Sequence, residues 1–145
     1  MKRIITATLF FLSLLGAALA QAPQVVTEAS QLPAGANPIT VSATGTTAAT
    51  AATLAASTTR RTFICGFSAR SNATAAVTGN LTIAGVTGTM NFTHWTAPTA
   101  SGLGVTEATF YPCVPSSAVN TGIVITSPAA GTAGINSVAA WGYQQ

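Results

Sequence analysis

Between Pro38 and Tyr143 the chain is written in short alternations of apolar and hydroxyl side chains, cut at close intervals by Gly, Pro and Ser. No stretch sustains the three-to-four-residue period of an amphipathic helix. Alternation with a period of two is the mark of a strand with one buried face. Ile39 to Ser42 gives a first short strand, and Thr121 to Thr126 and Ile135 to Tyr143 give the last two. Arg61 to Arg70 sets Phe63, Cys65 and Phe67 on one face and Thr62, Ile64 and Ser68 on the other. Thr74 to Val86 alternates Leu81 and Ile83 with Thr82, as one strand or as two parted at Gly79-Asn80. Gly88 to Thr96 divides Met90, Phe92 and His94 from Asn91, Thr93 and Trp95, and Val105 to Tyr111 follows a Gly-rich loop and stops at Pro112 and Pro115. Thr46 to Ser57 is rich in Ala, a helix former, but its β-branched Thr residues and single large anchor, Leu54, favour an extended segment.

Seven or eight strands spaced by about 10 to 15 residues predict an all-β fold, a single antiparallel β-sandwich or jelly roll. Residues 38–145 form one domain, since about 100 residues suffice for one such core and not for two. Ahead of it, residues 21–37 are polar and punctuated by Pro23 and Pro33, which reads as an extended N-terminal arm. Residues 1–20 carry Lys2 and Arg3, an apolar run from Ile4 and a small-residue end at Ala18-Leu19-Ala20. That is the pattern of a cleaved secretory signal peptide, and the run is short against the roughly 20 residues a membrane span needs. The expected location is therefore secreted, extracellular or periplasmic, with no membrane attachment after cleavage.

Charge is scarce: five Lys or Arg, two Glu and no Asp in 145 residues. Loss of Lys2 and Arg3 with the signal lowers the formal net charge from +3 to +1. Nucleic-acid binding needs clustered cations against phosphates, and Arg60-Arg61 with Arg70 do not supply them, so no nucleic-acid partner is expected. Arg60-Arg61 reads as a solvated turn before a strand. Low charge leaves self-association unopposed.

The same scarcity limits chemistry. A Ser-His-Asp triad has no Asp, paired-carboxylate hydrolysis has only Glu28 and Glu107, and metal sites want three or four His, Cys or carboxylate ligands. No catalytic residue, metal or cofactor is expected. Cys65 and Cys113, in a secreted chain, are expected as one intrachain disulfide, with an intermolecular bridge or two buried thiols as the alternatives. Three Asn-x-Thr triplets, at Asn72, Asn80 and Asn91, arise readily in a Thr-rich sequence. The remaining candidate chemistry is aromatic. Trp95, Trp141, Tyr143 and His94 are candidate ligand-binding residues for a glycan; the alternative is that the aromatics pack the core and edges of a small sandwich and that His94, beside Trp95, is a strand residue satisfied at the surface.

Several segments, in order, carry a resemblance: the Ala-Thr-Leu-Ala-Ala run around Leu54, TTRRTFICGF (58–67), GVTGTMNF (85–92), VPSSAVNTGIVIT (114–126) and SVAAWGYQ (137–144). Together they resemble small phage- and prophage-encoded, virion-associated β-sandwich proteins of the decoration or tail-accessory type. The resemblance implies a non-catalytic structural or surface-assembly protein. Its partners would be copies of itself in a homo-oligomer, or a larger surface or particle. Virion proteins assemble inside cells, so the signal peptide and the Cys at position 113 mark a version fitted for export. A carbohydrate-binding or adhesive module using the aromatic surface is the alternative.

Overall fold

The computed structural model describes residues 32–145. The expected signal peptide (1–20) and the arm up to residue 31 lie outside the described residues. The structure is all-β, as the alternation predicts. Its strands are β1 (Asn37–Gly45), β2 (Thr50–Leu54), β3 (Thr62–Ala73), β4 (Val77–Ala84), β5 (Met90–Pro98), β6 (Gly104–Pro115), β7 (Ile123–Ser127) and β8 (Ile135–Gln144). Among the described residues a single 3-10 turn, Thr99–Ser101, interrupts them.

The strands pair as β1-β8-β3-β6 on one side and β2-β7-β4-β5 on the other. A two-residue parallel contact, Asn72↔Ala97 and Ala73↔Pro98, joins β3 to β5 and makes one mixed eight-stranded sheet. At its far ends β1 and β2 pack together without a ladder, so the sheet curls almost into a closed barrel. The antiparallel expectation therefore holds for every ladder except the β3–β5 corner.

The inner faces meet in one apolar core. Leu54, Ile64, Leu81, Ile83, Ile123, Ile125 and Val138 are fully enclosed. Each such side chain contributes about 1.5–3 kcal/mol on burial. Around Phe67 the rings of Phe92 (5.1 Å between centroids, 62° between planes) and Phe110 (6.3 Å) form the aromatic centre. Small residues fill the places between, among them Ala52, Ala69 and Ala140. The alternation in β4, β5 and β7 agrees with the sequence: Leu81, Ile83, Phe92, Ile123 and Ile125 point in, while Thr82, Asn91 and Thr93 point out. Of the two readings of this segment, the single strand is present: β4 runs unbroken through Gly79-Asn80.

In β3 the expected face assignment fails at one point. Ile64 pairs with Gly142 and Gly66 with Trp141, so Cys65 is an extra residue against β8. On the other side, β6 places four residues, Phe110 to Cys113, between Val114 and Thr109, the partners of Ile64 and Gly66. This bulge shifts the phase of the strand. Ile64 and Phe67 are both buried, while Phe63 and Cys65 stay half-exposed on the outer side. β6 also runs through Pro112 to Pro115 rather than ending there, because it is an edge strand and does not need those N–H groups for a further ladder.

The Arg60-Arg61 turn is only partly solvated. Ser57 Oγ accepts from the backbone N–H of Arg60 at 3.2 Å. Arg60 is exposed, but Arg61 exchanges backbone hydrogen bonds with Gln145, and its guanidinium donates to the Ser117 carbonyl at 2.9 Å.

Candidate functional site

Cys65 and Cys113 are joined, with Cα atoms 4.3 Å apart. The bond fastens the β3 bulge to the long β6 bulge on the outer side of the sheet, where both residues are half-buried. Of the pairings left open by sequence, the intrachain one is present, and neither sulfur is available as a nucleophile.

Contrary to the surface position read for it beside Trp95, His94 lies in the interior, with no solvent exposure. Its period-two partners Met90 and Phe92 face the core, and the imidazole follows them inward. Two hydroxyls receive it, and a third stands behind one of them. Ser71 Oγ is 2.6 Å from Nε2, and Thr106 Oγ1 is 2.8 Å from Nδ1. The Ser71 hydroxyl donates to Thr96 Oγ1 at 3.0 Å. Each ring nitrogen thus faces a hydroxyl that can donate or accept, so a neutral imidazole is satisfied at both nitrogens. Burial pushes its pKa below the ordinary histidine value. The pair looks like a Ser–His couple in composition only. Ser71 and His94 are both sealed from solvent.

The aromatic candidates separate. Trp95 projects from the outer face of β5 and is 47% exposed, with Thr78 of β4 beside it. Trp141 and Tyr143 both project from the outer face of β8. Tyr143 is only 7% exposed, because its ring stacks on Phe63 at 4.6 Å and 11°. Trp141 is 37% exposed. Its indole covers Gly66 on the neighbouring strand: a Cβ there would stand 2.7 Å from Cε2 of the ring and 2.8 Å from the Ala108 carbonyl oxygen. Gly66 is therefore the floor on which the indole lies. So the candidates His94 and Tyr143 are enclosed, and Trp95 and Trp141 lie on outer faces of different halves of the sheet.

Register places Thr40, Trp141, Gly66 and Thr109 in one row across β1, β8, β3 and β6. One row further along, Ser68 donates to Glu107 Oε1 at 2.7 Å, and Arg70 Nη2 reaches the same oxygen at 3.4 Å. The Ser68 hydrogen bond first, then Arg70, hold the Glu107 carboxyl below its ordinary pKa. Beyond Thr109 the β6 bulge pushes Tyr111 into solvent at 86% exposure. The sequence marks Arg70 and Glu107 only as scarce charges and Gly66, Thr40, Thr109 and Ser68 as no site, since cross-strand register alone brings these residues together. Among the described residues no group of three or more His, Cys, Asp or Glu is gathered that could hold a metal ion.

Comparison with protein-family models, curated proteins and solved structures finds no match to the chain. The likeness to virion-associated proteins thus rests on the sequence segments alone.

Proposed function

We propose that the protein is a secreted, non-catalytic structural or surface-assembly subunit that works through the outer faces of a jelly roll. The two strand orders, 1-8-3-6 and 2-7-4-5, are those of two nested Greek keys, an arrangement used by capsid and lectin domains alike. That parallel is one of fold only. The Cys65–Cys113 disulfide fits an oxidising compartment.

The observation that carries the assembly assignment is the outer face of β2-β7-β4-β5. Thr53, Thr126, Thr82, Asn80, Asn91 and Thr93 point outward there, and no outward side chain of these four strands is ionisable. Such a face meets a copy of itself or a larger particle without charge repulsion and without stranded charges to desolvate. The native mass of the exported chain tests this. A defined oligomer is expected, and it should dissociate when Thr82→Glu and Thr93→Glu are introduced together. A monomer at all concentrations, or an oligomer indifferent to both charges, overturns it.

A second function, carbohydrate binding, is favoured by a different observation: two indoles, Trp95 and Trp141, stand exposed on outer faces of the sheet. Tryptophan fluorescence during titration with glycans measures it directly.

A further inference from the structure

We infer that the outer face around Trp141 is a binding site for a neutral polysaccharide of gluco-configured pyranoses. This rests on the carbohydrate-binding function and assigns its site. Two exposed tryptophans compete for the role, and their surroundings differ. Trp95 has Thr78 alone beside it in its row, where β4 has not yet met β7. Trp141 stands within a row spanning four strands, with Thr40 on one side and Gly66 and Thr109 on the other.

The indole meets the requirements of a sugar platform. A pyranose with equatorial hydroxyls presents a face of C–H groups, which the negative face of an aromatic ring attracts. Trp141 lies on the backbone at Gly66, which holds one side of the ring and leaves part of it to solvent. Because Gly66 sits at the bulge clamped by the Cys65–Cys113 disulfide, the floor under the ring is fixed before any ligand arrives. Less ordering is then needed on binding.

The ring's polar neighbours suit the sugar's rim. Thr40 and Thr109 offer hydroxyls on either side of it, Ser68 and Glu107 supply a donor and acceptors one row away, and Arg70 reaches Glu107 from the row beyond. Charge selects the ligand class. Arg70 and Glu107 are the ionisable groups in these rows, and they neutralise one another at 3.4 Å. A polyanion would have to compete with Glu107 for the one arginine, whereas a neutral glycan only adds hydrogen bonds to the pair.

The test is titration of the full mature chain with cellohexaose and with chitohexaose, followed by tryptophan fluorescence and calorimetry, with polygalacturonate as the charged control. The native chain should bind at least one neutral hexamer and not the polyuronate. Trp141→Ala should weaken binding about thirtyfold, the scale of a truncated aromatic hot spot. Trp95→Ala should leave it unchanged. Since Trp141 also covers Gly66, the double variant Arg70→Gln, Glu107→Gln provides a second arm that spares the platform, and it should weaken binding several-fold with an unchanged unfolding temperature. If the native chain binds neither hexamer, the carbohydrate-binding function falls and the site with it. Binding that is lost in Trp95→Ala but not in Trp141→Ala or the double variant keeps the function and overturns the site. Preference for the polyuronate overturns the ligand class.

Discussion

His94 decides how the protein answers to acid. It is held as a neutral ring between Ser71, Thr106 and, through Ser71, Thr96, and no ionisable side chain is among these partners. The nearest charged residues in sequence, Arg70 and Glu107, are on the outer face and pair with each other. Because burial lowers the folded pKa, the unfolded chain binds the proton more readily. The stability this residue supports is fully present above its unfolded value near 6.5. It should decline as pH falls below that value and level off beneath the folded pKa. Denaturant titrations from neutral to mildly acidic pH check this, and His94→Gln should remove that limb of the profile. At neutral pH, His94→Ala leaves a cavity and unpaired hydroxyls, for an expected loss of about 2–4 kcal/mol. Glu107 behaves differently. Its depressed pKa gives a contribution that is lost only as pH falls through a value below 4.5, and solvent at this exposed site keeps it small. The face His94 shares with Met90 and Phe92 was legible from alternation, but its burial was not, since beside Trp95 the ring reads as a surface residue. Its partners were not, because Ser71 and Thr106 lie 23 and 12 residues away and meet it only through the ladders.

At the scale of elements, the bulge in β3 governs both the core and the outer site. Strict alternation predicts Phe63, Cys65 and Phe67 on one side, and seven of the eight strands can be located from such patterns without knowing the register. An inserted residue breaks the rule: Phe67 turns into the aromatic core while Phe63 goes outside to stack on Tyr143. Nothing in the local sequence distinguishes a twelve-residue strand with a bulge from one without, since the cause is the opposing path of β6. The disulfide holds that irregular junction and closes a separation of 48 residues. On loop-closure entropy, reduction should cost about 4 kcal/mol, as a fall in the urea midpoint under reducing conditions and equally in Cys65→Ala, Cys113→Ala. Gly66→Ala tests the same junction from the other side. The new methyl group would collide with the Trp141 ring and the Ala108 carbonyl, so a loss of about 1–3 kcal/mol is expected, together with a blue- or red-shifted indole emission that marks the displaced ring.

For the whole molecule, the order of the strands was beyond reach of periodicity, which says where strands are but not which ones pair. Only β4 and β5 form a ladder between consecutive strands. β1 joins β8 from Asn37↔Gln144 onward, and β2 joins β7. The predominance of Thr, Ala and Asn over charge, in contrast, was legible at once, and in the folded chain it becomes a property of a surface. The outward side chains of β2, β7, β4 and β5 carry no charge. Association through such a face has almost no Coulombic component for salt to screen, although screening at about 1 M salt reaches down to roughly 3 Å. If the outer face of β2-β7-β4-β5 is the contact between copies, the native mass should hold steady from low ionic strength to about 1 M sodium chloride. Sulfate, which favours burial of surface, should tighten it. Contact through the other half of the sheet would enlist Arg70 and Glu107, and rising sodium chloride would then weaken it. Sedimentation velocity across the two salts separates these outcomes. A mass that falls with sodium chloride removes the charge-free face from the interface.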